Sequence, residues 1–72
     1  MIDPAFSKKC LVILTNEVLP RAKKLNMSVS EFYDVSLLGY LARLEFDGHI
    51  TRKDLREILD YRVKDLQKNA DV

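Results

Sequence analysis

A chain of 72 residues, 47% of them apolar and 32% charged, is one small globular domain, too short for two cores and too hydrophobic for disorder. Twelve Lys plus Arg against eleven Asp plus Glu give a net charge of +1, so no global field recruits nucleic acid or an anionic membrane; a local patch would have to do so. A chain near this length buries only about 60% of its unfolded surface, so the core is thin, and dimerisation or a partner would supply what it lacks.

With two Gly and two Pro, the composition favours a few helices over many short strands. Asp3-Pro4 reads as a helix start, an N-cap followed by a proline whose missing N–H costs nothing in the first turn. Phe6, Cys10, Ile13 or Leu14, and Val18 then recur at helical spacing, which predicts a first helix from Pro4 to about Val18. The run Cys10-Leu11-Val12-Ile13-Leu14 fills every face of its turn, a surplus that suggests a helix packed on both sides, one of them by a second copy. Pro20 cannot donate to the Asn16 carbonyl and predicts a kink or break near Leu19. A short helical piece, Pro20 to Leu25, would follow and end at Asn26, a residue tolerated in the left-handed C-cap conformation. The other reading of Cys10 to Thr15 is a β-strand, rich in Val and Ile, that would pair with another copy.

Ser28 and Glu31 form a predicted capping box, with Met27 and Phe32 in staple positions. A central helix is predicted from Val29 to about Phe46, with Leu37, Leu41 and Leu44 on one stripe and Val35, Leu38, Ala42 and Phe46 on another. So wide an apolar arc needs neighbours on more than one side. Gly39 inside it suggests close approach of another backbone, and Gly48 is the expected C-cap. Thr51 with Asp54, and Ile50 with Leu55, repeat the box and staple. A last, one-sided helix is expected from Arg52 to about Gln67, carrying Leu55, Ile58, Leu59, Val63 and Leu66 on one face, with Lys68 to Val72 frayed. The expected fold is all-α, a single helical domain built as a bundle of three helices with the first broken or kinked near Pro20. The alternative is a ribbon-helix-helix dimer with the strand at Cys10 to Thr15.

Ala22, Asn26 and Phe32, within AKKLNMSVSEF, fall where the helix-turn-helix pattern wants them, and Ala22 to Leu41 resembles ribbon-helix-helix and helix-turn-helix regulators, CLVILT being the strand that the ribbon family would place before it. That resemblance implies nucleic-acid binding. In a plain helix-turn-helix the second helix would read bases, yet Glu31 and Asp34 are the charges in its first turns, and phosphates repel both. The stretch Leu37 to Leu59, with Gly48, Ile50, Thr51 and Lys53, resembles the helical tail of the B subunit of tRNA-dependent amidotransferases. It implies a tRNA-contacting accessory role without the catalytic body.

Chemistry is sparse. Asp47-Gly48-His49-Ile50-Thr51 looks like the centre of a calcium loop, but the register puts Arg43 at the first ligand position and Asp54 at the twelfth, so calcium is not expected. His49 has no second His or Cys at ligand spacing, and Cys10 lies in an apolar run with nothing nearby in sequence to activate it. There is no Gly-rich phosphate loop or nucleophile elbow. No enzyme, cofactor, metal or small-molecule substrate is therefore expected. CLVIL is too short for a signal-peptide core and no segment reaches the length of a membrane span, so a cytoplasmic protein without membrane contact is expected.

Charge is unevenly distributed. Pro4 to Asn26 has five bases and one acid, Met27 to Asp47 one base and four acids, and Thr51 to Lys68 six bases and four acids. Such asymmetry suits docking between unlike faces. Arg52 and Lys53 in the first turn of the last helix oppose its dipole and suggest an anionic partner. The expected function is a small non-catalytic regulator or adaptor that binds a protein partner or itself through Leu11, Val12, Tyr33, Tyr40 and Tyr61. The alternative is a DNA- or RNA-binding regulator using Lys8, Lys9, Arg21, Lys23, Lys24, Arg52, Lys53 and Arg56.

Overall fold

Asp3 begins the first helix as its place before Pro4 predicts: in the computed structural model, which describes residues 3–70, the amides of Ala5 and Phe6 donate to its Oδ1 at 2.9 and 3.4 Å. Helix α1 spans Pro4–Ile13, widens into a π-helical turn over Leu14–Val18, and continues as α2 over Leu19–Lys24. Of the kink or break expected near Leu19, the break is not seen: the helix widens just before it and does not stop. In the π turn the Leu19 amide donates to the Leu14 carbonyl, one residue further back than an α-helix reaches, and Pro20 lands in the first turn of α2. The result is one continuous rod.

The strand alternative at Cys10 to Thr15, and the intertwined ribbon dimer with it, is not seen; those residues are helical, and every regular element among the described residues is a helix. Strand pairing would need a consistent face, whereas here Ile13 is buried while its neighbours Leu11 and Val12 are exposed.

The rod ends in a Schellman motif. Asn26 is left-handed (φ 57°), its amide donates to the Lys23 carbonyl, and the Met27 amide donates to the Ala22 carbonyl. The capping box follows as expected, with the Glu31 amide on Ser28 Oγ and the Ser28 amide on Glu31 Oε1. The helix it starts is short, however: α3 covers only Val29–Phe32, and α4 covers Val35–Phe46. Between them Tyr33 is extended, and Asp34 caps a new start by accepting from the Ser36 amide at 2.8 Å. The carbonyl of Phe32 is then satisfied by Arg62 Nε at 2.8 Å instead of by the next helical turn. The predicted single helix from Val29 to Phe46 is thus two, and the bundle has four helical rods among the described residues instead of three.

Gly48 (φ 82°) closes α4 as the C-cap, with its amide on the Glu45 carbonyl and that of His49 on the Leu44 carbonyl. Thr51 and Asp54 form the second capping box, at 3.0 Å in each direction. Helix α5 then runs over Arg52–Ala70, so residues 68–70 are helical where fraying was expected; Asp71 and Val72 lie outside the described residues.

Packing centres on the rod. Phe6 meets Phe46 edge to face at 5.4 Å, with the Arg43 guanidinium over both rings, while Ile13, Leu14 and Val18 further along the rod share a cleft with Val35 and Leu38 near the start of α4, so α4 runs antiparallel to α1. Arg52 and Arg56 reach Glu17 while Asp60 reaches Arg21, so α5 runs parallel to the rod. The buried core is Ile13, Val18 and Ala22 from the rod, Phe32 from α3, Ala42 from α4, and Leu55 and Leu59 from α5. The helix expected to be central therefore sits at the side and leaves Val35, Leu37 and Tyr40 exposed.

Gly39 is approached by no other backbone among the described residues: apart from its chain neighbours and its own helix backbone, no atom lies within 4 Å of the place a Cβ would take. Gly39→Ala is therefore expected to raise stability by about 1 kcal/mol, from helix propensity alone. A thermal melt checks this, and a lowered midpoint would mean that something does pack against the glycine.

Candidate functional site

Two glutamates on otherwise apolar helix faces are buried, Glu17 at 5% exposure and Glu45 at 9%. Cations from three helices converge on them. Arg56 Nε donates to both oxygens of Glu17 at 3.1 and 3.2 Å, Arg21 Nη1 to Oε1 at 3.2 Å, and Arg52 Nη1 to Oε2 at 3.4 Å. Arg52 also grips Glu45 with two nitrogens, Nε at 2.6 Å and Nη2 at 3.3 Å, and Lys9 pairs with the same carboxylate. Arg21 Nε donates to Asp60 at 2.8 Å. Every buried side-chain polar atom among the described residues has a partner.

The network ties α1, the π turn and α2 to α4 and α5. The hydrogen bond from Arg56, aided by Arg21, holds the Glu17 carboxyl below its ordinary value of 4.5 against the upward push of burial. At Glu45 burial is the largest single influence and pushes upward, but the bonds and charges of Arg52 and Lys9 together outweigh it, so this carboxyl is also lowered. The Arg21 bond lowers Asp60 likewise.

Both glutamates thus bind a proton less readily folded than unfolded. Their contribution to stability is complete above the ordinary value of 4.5 and is lost as pH falls through the lower folded values. The melting temperature is expected to fall below about pH 4.5. An unchanged midpoint down to about pH 3 in circular-dichroism melts would show the pairs to be absent.

This geometry redistributes the basic residues singled out from sequence. Lys9, Arg21, Arg52 and Arg56 serve the interior, and the anion that the position of Arg52 calls for is found within the chain. Lys8, Lys23, Lys24 and Lys53 are exposed, with no carboxylate in ion-pair range among the described residues. Glu17 and Glu45 were missed. Their signal was present: Glu17 follows Ile13 by four, and Glu45 follows Ala42 by three and Leu38 by seven, which puts each acid on a core stripe.

The apolar candidates also separate. Leu11, at 62% exposure, and Val12 lie on the outer face of the rod. Tyr33, half-buried, and Tyr61 line one cleft between α4 and α5, while Tyr40 stands exposed on α4 and is not part of it. A second cleft, of about 380 Å³, opens between α1 and α4; Ile13, Val18 and Ala42 belong to the core below it, and Cys10, Val35 and Gly39 also line it. His49 is exposed in the turn after α4. No three of His, Cys, Asp and Glu gather in metal-binding geometry among the described residues.

No protein-family model, curated protein or solved structure matches the chain. No helix among the described residues is long and apolar enough to cross a membrane.

Proposed function

We propose that the chain is a non-catalytic regulator or adaptor that works by contact with protein, either a partner or a second copy. The observation that carries this is the placement of large apolar side chains outside the core: Leu11, Val12 and Leu19 along the rod, and Val35, Leu37, Tyr40 and Tyr61 on α4 and α5. Apolar surface of this kind in a chain with so thin a core is what an interface uses. Leu11→Asp and Val12→Asp replace exposed residues, so the fold should survive with a stability change within about 0.5 kcal/mol. Each is expected to weaken self-association or partner binding by about tenfold or more, read by sedimentation and by co-purification from the native cell. Unchanged mass and unchanged partner recovery with an intact circular-dichroism spectrum would remove this reading.

The nucleic-acid reading stands second. Of its eight basic residues, Lys9, Arg21, Arg52 and Arg56 face carboxylates of their own chain, which leaves Lys8, Lys23, Lys24 and Lys53 to meet a polyanion. Four lysines, two of them adjacent, on a chain of net charge +1 supply a weak, salt-sensitive attraction.

A further inference from the structure

We propose that the α1–α2 rod of one copy docks into the cleft between α4 and α5 of another, making a head-to-tail contact. This rests on the protein-contact reading above and names the occupant. The cleft has a volume of about 690 Å³ and an apolar floor of Tyr33, Leu37, Ile58 and Tyr61. Two of these are largely open to solvent, Leu37 at 51% and Tyr61 at 73%. Its rim carries Asp34, Asp54, Glu57 and Asp65 against a single cation, Arg62, which already donates to Asp65 and to the Phe32 carbonyl. Asp34 and Asp54 each give one oxygen to a helix-capping amide, and Glu57 makes no hydrogen bond or ion pair among the described residues. A partner that covered the floor would have to be apolar in the middle and cationic at its edges.

The outer face of the rod has that pattern. Lys8, Leu11, Thr15, Leu19 and Lys23 recur every three or four residues, with Val12 beside Leu11, and all are exposed. The one acid between Pro4 and Lys24 is Glu17, which is buried on the opposite side, so no carboxylate disturbs this face. Along the rod the two lysines are about 22 Å apart with the leucines between them, and along α5 the carboxylates of Asp54 and Asp65 bracket Ile58 and Tyr61 over about 16 Å.

Symmetric pairings are disfavoured by the same charges. Rod against rod would set lysine against lysine, and cleft against cleft would set carboxylate against carboxylate. Only the unlike pairing matches charge to opposite charge and apolar to apolar. Because the two halves lie on different faces of each copy, the contact is heterologous and produces a ring or an open chain of copies. A net charge of +1 adds almost no long-range repulsion to oppose it.

The test uses the full chain in sedimentation velocity, at micromolar and millimolar concentration and in low and high salt. Mass should rise with concentration and fall with salt. Two variants with exposed substitutions then separate the halves: Glu57→Lys spoils the cleft, and the double change Leu11→Gln with Val12→Gln spoils the rod, each expected to weaken assembly by about tenfold or more. Circular dichroism checks that both remain helical. Mixed together, the variants should form a complex that stops at two copies, since one contributes an intact rod and the other an intact cleft. A wild-type chain that stays monomeric at millimolar concentration in low salt overturns the proposal, as do mixed variants that fail to pair. Assembly that the rod variant loses but Glu57→Lys keeps also overturns it, while leaving protein contact through the rod in place.

Discussion

Phe32→Ala is expected to cost about 3 to 5 kcal/mol, the range for emptying a buried aromatic position. A domain of this size has a total stability of roughly 4 to 11 kcal/mol, so the variant loses a large share of it, and all of it where the wild type lies at the bottom of that range. Phe32 is completely buried and is one of the four largest side chains in that state, with Leu55, Leu59 and Val18. It projects from a helix of four residues, too short to hold its own shape without tertiary contacts. Loss of the ring therefore removes the reason for α3 to sit against the rod and α5. Urea unfolding followed by circular dichroism checks the value, and Phe32→Leu should recover much of it by refilling the site with apolar volume. A loss below about 1 kcal/mol for Phe32→Ala would mean that the site collapses around the void.

The local instructions of this chain are legible because they act within a few residues. Asp3, Ser28 with Glu31, Gly48, and Thr51 with Asp54 each cap the helix end they were expected to cap, and Asn26 is left-handed as its position implies. Misreadings arose where a distant group decided the outcome. The break at Tyr33 depends on Asp34 capping a new helix and on Arg62, thirty residues away, taking the Phe32 carbonyl, and periodicity does not report either. At Pro20 the π turn changes the register by one residue, a way of keeping the rod continuous that a rule written for α-helices does not contain. The intrachain partner of Arg52 and Arg56 was illegible for a related cause. Glu17 lies 35 positions from Arg52 in sequence, and only the fold brings them together.

Glu17→Ala tests that internal anion directly and is expected to cost about 3 kcal/mol, the low end for breaking a buried pair. Removal of the carboxylate leaves the guanidinium groups of Arg21, Arg52 and Arg56 crowded with one acceptor fewer. Arg21 keeps Asp60 and the Glu17 carbonyl, and Arg52 keeps Glu45, whereas Arg56 loses the one carboxylate it touches. The cost stays at the low end because the Arg56 side chain is 54% exposed and can turn to water. For a domain this small each kcal/mol moves the melting temperature by about 4 to 8 °C, so a drop of at least about 12 °C is expected at neutral pH. The difference from wild type should shrink as pH falls from about 4.5 through the lower value of folded Glu17, first because the unfolded chain takes up the proton and then because the folded carboxylate does. Glu17→Met separates the charge from the volume. It restores apolar volume but leaves the same guanidinium groups with one acceptor fewer, so it should recover only the cavity part of the loss and stay below wild type. A Met variant as stable as wild type would show that the ion pairs contribute little net stability and that the guanidinium groups turn to water. One as unstable as the Ala variant would show that the lost charge, not the lost volume, carries the cost.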